Sequence, residues 1–114
     1  MQRFLIVARM QPSSAAEVAR LFGESDATDL PRIAGTVTRS LLRFHDLYFH
    51  YSEVEDSAEK TIQDIRRSEE FTRLNARLTE HITPYDPQTW RSPADAMAQE
   101  FYRWEAGRGI VSGE

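Results

Sequence analysis

The sequence predicts an α+β domain with the element order β-α-β-β-α-β, and three observations carry that prediction. An apolar, branched run opens the chain at residues 4–8. Two strand-like runs, Thr36–Phe44 and Leu47–Val54, flank a two-residue break at His45 and Asp46. Before and after that pair lie segments whose apolar residues recur at helical spacing.

At 114 residues the chain has room for one domain and not for two independent cores. Residues 1–106 are read as that domain and 107–114 as a flexible tail. A formal net charge of −4 argues against nucleic acid as a partner. The absence of cysteine excludes disulfides and thiolate chemistry, and a cytoplasmic location is the default. The N-terminal apolar run is too short to span a bilayer and lacks a signal-cleavage pattern.

Residues 4–8 have the pattern of a strand covered on both faces, ended by Met10, Gln11 and Pro12. Ser14 and Glu17 have capping-box spacing ahead of Ala15, Val18, Leu21 and Phe22, which share one helical face. With Gly23 as a stop, the spacing predicts a helix over 13–22. Residues 24–35 carry turn chemistry in Glu24, Ser25, Asp26, Asp29, Pro31 and Gly35 and are expected to form a loop. A loop of that length is either a site wall or a plain solvated connection.

A two-residue turn at His45 and Asp46 pairs Phe44 with Leu47 and therefore Leu41 with His50. One hairpin face then carries Val37, Arg39, Leu41 and Arg43 with Tyr48, His50 and Ser52. The other carries Thr38, Ser40, Leu42 and Phe44 with Leu47, Phe49 and Tyr51. Asp56 and Glu59 open a second helix with Ala58, Ile62 and Ile65 in its stripe. The stripe breaks at Glu69 and resumes at Phe71, Leu74, Leu78 and Ile82, as two helices or one kinked near Ser68. Residues 83–87 end it, and 97–105, with Phe101, Tyr102 and Trp104, read as the last strand.

These elements compose a ferredoxin-like sandwich, an antiparallel four-stranded sheet with helices on one face. Helices of one protomer cover only that face. A homodimer packed sheet on sheet, in the manner of dimeric α/β barrels, covers the other. The Arg39/His50 face is expected to look toward the helices, with a cleft beneath 24–35. There a guanidinium and an imidazole can perform acid/base chemistry on an anionic organic substrate.

The residues LFGESDATDLP, then Gly35, then LLRFHDLYFHYSE resemble the tetracenomycin-type aromatic polyketide cyclases. ARMQP, LTEHITPYDPQTW and EFYRWE extend the resemblance from Phe4 to Glu105. It implies a dimeric ferredoxin-like fold and cofactor-independent aldol cyclisation with dehydration of an aromatic polyketide intermediate. It also implies contact with polyketide synthase components. Members often carry His just before the loop Asp; here that position is Ser25, ahead of Asp26.

Aldol cyclisation of a poly-β-ketone needs a base for the proton between two carbonyls, a cation for the enolate, and an acid for loss of water. His50 fits base and acid, with an unperturbed pKa near physiological pH. Arg39 fits enolate stabilisation. Asp26 orients His50 or accepts a substrate hydroxyl. Ser25, Tyr48, Tyr102 and Trp104 are candidate substrate contacts, the aromatics as flat walls. Enolate chemistry of this kind needs no cofactor, and Asp26, His45 and His50 match no compact metal motif. Each residue also has a structural reading: Arg39 as an interface cation, Asp26 as a turn residue, His45 and His81 as local hydrogen-bonding groups, and the late aromatics as core. Two rival functions share the fold: a cofactor-free anthrone-type oxygenase and a non-catalytic polyketide-binding accessory subunit.

Overall fold

The computed structural model describes residues 1–56, 69–91 and 93–113. Within them the chain runs β1 (Gln2–Met10), a 3₁₀ turn (Pro12–Ser14), α1 (Ala15–Asp26), α2 (Leu30–Ala34), β2 (Thr36–Phe44) and β3 (Leu47–Val54). It continues through α3 (Glu69–Leu78), β4 (Ile82–Thr83), a second 3₁₀ turn (Pro93–Ala96), β5 (Tyr102–Glu105) and β6 (Gly109–Gly113). Four strands form one antiparallel sheet in the order β2-β3-β1-β4. That is the expected ferredoxin-like sandwich, with α1 on one face.

The register of the hairpin is the one its turn dictates: Phe44 opposes Leu47, Leu41 opposes His50 and Arg39 opposes Ser52. His45 takes a left-handed φ of 54° in the turn. The Asp46 carbonyl accepts from the Met10 N–H at 2.8 Å, and its carboxylate accepts from Arg9 at 2.9 Å, tying the turn to β1. At the other end β2 bulges between Thr36 and Thr38. Gly35, at φ 71°, turns the chain out of α2, and its carbonyl accepts from the Glu55 N–H at 2.9 Å.

Ala8, Met10, Val18, Phe22 and Tyr48 form the buried cluster between sheet and α1, and Leu74, Leu78, Ile82 and Trp90 pack around it. Alternation on β1 and β3 and the 18–22 spacing on α1 place these side chains opposite one another.

Four expectations are corrected. The helix expected over 13–22 continues through Gly23 to Asp26, because Ser25 extends the buried face one turn beyond Leu21 and Phe22. Its Ser14 makes no side-chain cap; the hydroxyl meets His81 Nδ1 at 3.2 Å, and Glu17 pairs with Arg20. The loop expected over 24–35 therefore holds the end of α1 and all of α2, whose Leu30 is buried. The helical stripe expected to reach Ile82 ends at Leu78, and Ile82 enters the same cluster from β4. The helix expected from Asp56 lies, beyond that residue, outside the described residues.

The last strand is also displaced. The fourth strand of the sheet is the two-residue β4, paired at Arg9↔Thr83 and Met10↔Ile82. Met97 only bridges Ile6, with the Ala98 N–H donating to the Leu5 carbonyl at 2.7 Å. Tyr102–Glu105 instead pairs with Gly109–Gly113 in a separate ribbon, so residues 109–113 of the tail expected to be flexible form a strand. Gly107 and Gly109, both at positive φ, reverse the chain between them.

Candidate active site

Three elements meet at Arg39. From the last turn of α1, Asp26 accepts two hydrogen bonds from its guanidinium, Oδ2 from Nε at 3.2 Å and Oδ1 from Nη2 at 2.9 Å. From β3, His50 Nε2 lies 2.8 Å from Arg39 Nη1. The two-pronged pairing suits the planar guanidinium fork, and it leaves Nη1 for the imidazole. Phe22, one helical turn before Asp26, closes the group. Its ring centroid lies 5.0 Å from the Arg39 guanidinium carbon and 5.1 Å from the His50 ring, the two rings edge to face.

The charge states follow from chemistry. Guanidinium nitrogens only donate, so His50 Nε2 is the acceptor and the imidazole carries its proton on Nδ1. Burial brings the His50 pKa down to about 4, the nearby Arg39 charge adds to the fall, and Asp26 opposes it. His50 is thus neutral near pH 7, which corrects the expectation of an imidazole titrating near physiological pH. The carboxylate is 38% exposed and the guanidinium side chain 19%, so solvent reaches the site from the Asp26 end.

The remaining candidates divide. Tyr48 shares the face of His50, its ring centroid 6.5 Å away, but it is 3% exposed and belongs to the core. Burial pushes its phenol pKa up. Ser25 is buried beside Asp26, and its carbonyl accepts the Thr28 hydroxyl at 2.6 Å. With Leu21, Thr28 and Leu74 it borders a hollow of about 130 Å³ between α1 and α3. Tyr102 and Trp104 stand on the β5–β6 ribbon with more than half of each exposed, on a different sheet from Arg39 and His50. A second hollow, of about 250 Å³, lies along β1 at Val7, walled by Tyr85, Trp90 and Met97. Among the described residues, His45 offers its carbonyl to Arg43, at 3.0 Å, and an edge contact to Phe44.

Sequence reading missed Phe22 as a member of this group. The signal was present: Phe22 and Asp26 are four apart, hence on one helical face. Ending the helix at Gly23 hid it.

The Polyketide synthesis cyclase family model matches residues 2–105. Polyketide synthase CurG of Streptomyces cyaneus is 41% identical over 105 residues, covering 92% of this chain and 98% of that one. Tetracenomycin F2 cyclase of Streptomyces glaucescens is 40% identical over 104 residues, covering 91% of this chain and 94% of its own. The solved structure of tetracenomycin F2 cyclase from Streptomyces glaucescens, described as a type-II polyketide cyclase, superposes with a TM-score of 0.83 at 39% identity. That match covers 92% of this chain and 98% of the other. With a family match over residues 2–105 and relatives of this identity over about nine-tenths of its length, the chain belongs to the polyketide synthesis cyclases.

Proposed function

We propose that this cyclase closes a ring of an aromatic polyketide intermediate by cofactor-independent aldol condensation and dehydration, with Asp26, Arg39 and His50 as its working groups. The observation that supports this most is the continuous chain from the Asp26 carboxylate through the Arg39 guanidinium to the His50 lone pair. A methylene between two ketones is already acidic, so the site must chiefly hold the enolate and relay a proton.

In the proposed cycle a substrate carbonyl oxygen takes the place of His50 Nε2 as the acceptor on Arg39 Nη1. That exchange frees the Nε2 lone pair to remove the methylene proton, and the enolate charge develops against a fixed guanidinium. The enolate carbon bonds to a second carbonyl carbon, whose oxygen takes a proton to become a hydroxyl. Loss of that hydroxyl with a neighbouring proton, as water, leaves the carbon–carbon double bond. The imidazolium formed in the first step is the acid available for the later ones, and Asp26 keeps the guanidinium from following the substrate. Ser25 is proposed to contact substrate; Tyr48 supports His50 from the core.

The same proposal includes a homodimer and a cytoplasmic location. Leu42 and Phe44 on the sheet face away from α1 are 52% and 63% exposed, an apolar surface that a second copy would cover. Contact with polyketide synthase components, as the source of substrate, belongs to the same reading.

The test is turnover of a linear poly-β-ketone generated by a reconstituted synthase. His50→Ala and Arg39→Ala should each lower kcat/KM by about 10²-fold or more, the range a positioned acid/base or charge-stabilising group supplies. Product formation unchanged in His50→Ala would point to the accessory-subunit reading, and oxygen uptake during turnover to the oxygenase reading.

A further inference from the structure

Core packing does not exhaust what Phe22 does. The ring is 5% exposed among Ala8, Met10, Val18 and Tyr48, yet it also touches both partners of the Arg39–His50 bond. A guanidinium 5.0 Å from an aromatic centroid is within reach of the ring quadrupole. The edge-to-face contact at 5.1 Å fixes the imidazole by shape as well as by area.

Arg39 needs such a hold. Its carboxylate partner is 38% exposed, and solvent weakens an ion pair on that side even though the Arg39 side chain itself is mostly buried. Phe22 and Asp26 come from successive turns of one face of α1, so a single helix delivers an apolar plate and a carboxylate to the same guanidinium. The ring restricts motion off the plate, and the carboxylate restricts motion along it. What remains is the orientation that sends Nη1 to His50.

We infer that Phe22 is a positioning residue of this site: its ring clamps the Arg39 guanidinium against Asp26 and holds it on His50 Nε2, keeping the imidazole in one tautomer and away from water. The inference rests on the reading of Asp26, Arg39 and His50 as the working groups. Among the described residues, the charged and titratable groups facing His50 are Arg39 from β2, Asp26 from α1 and the Tyr48 phenol from its own strand. Of these, Phe22 touches Arg39 directly and shares a helix face with Asp26.

Nuclear magnetic resonance titration of His50 in the substrate-free protein, with ¹⁵N shifts reporting the tautomer, is the test. In the parent chain His50 should titrate near 4 as a single Nδ1–H tautomer. Phe22→Leu should raise that midpoint by about one pH unit or more, since water enters and the guanidinium loosens, and should mix the tautomers. The same variant should lower kcat about tenfold with a smaller change in KM, and shift the acid limb of the kcat profile. Leu21→Ala, which empties volume on the side of α1 turned toward α3, should leave His50 where it was. A fluorinated phenylalanine at position 22 keeps the ring's shape and weakens its quadrupole. It should move the midpoint in the same direction without loss of Tm, and it decides the matter if Phe22→Leu does not fold. Unchanged midpoint and tautomer in both ring variants would overturn the inference, as would an equal displacement in Leu21→Ala. An inactive parent enzyme would remove the functional reading and leave the titration result standing.

Discussion

At the scale of single residues, the consequence easiest to measure is the charge state of His50. Folding takes an imidazole with an ordinary pKa of 6.5 and brings it down to about 4. Between those values the unfolded chain holds a proton that the folded chain does not, so stability rises with pH across that window. The contribution is fully present above about pH 6.5, is lost as pH falls toward 4, and is constant below. Its full size is on the order of 3 kcal/mol. Urea denaturation at steps from pH 5 to 7 should show this slope, and His50→Gln should abolish it; parallel slopes would mean that His50 titrates normally. None of this was legible in the sequence. Alternation placed Arg39 and His50 on one face, because a strand's side chains have a period of two. The fall in pKa comes first from burial, and one of the rings packed on His50 is Phe22, from another element 28 positions earlier.

At the scale of elements, two glycines with opposite roles give opposed predictions. Gly23 sits inside α1 with open space where a Cβ would stand. Gly23→Ala should therefore stabilise the protein by about 0.5–1 kcal/mol through helix propensity. Gly35 turns α2 into β2 at φ 71°, and Gly35→Ala should cost about 1 kcal/mol or more even though its Cβ would meet Glu55 only at 3.6 Å. Thermal melts of both variants check the pair, and a shift of the same sign in each would contradict it. The sequence misled where a local stop signal met a tertiary reward: the buried face continues to Ser25, and burial outweighs one glycine. The two-residue β4 is too short to show any alternation, whereas Phe101, Tyr102 and Trp104 looked like a strand of the main sheet. Long paired elements such as the hairpin declare themselves. Short edge pieces do so only once the central strand is in place.

At the scale of the molecule, α1 covers one face of a sheet whose other face carries Leu42 and Phe44 in the open. If a second copy covers that face, Phe44→Glu should shift the protein from dimer to monomer in sedimentation equilibrium with little loss of secondary structure. A parent chain that sediments as a monomer at working concentration would remove the dimer from the proposal. β2 is one of the two edge strands of the sheet, and it carries Arg39. A centre built on a rim need not be reached by parting the layers: a long, reactive chain can present one reacting segment sideways while the remainder stays beyond the border. If the proposed substrate enters there, the border would constrain which stretch of it folds back on itself without requiring the protein to swallow the whole.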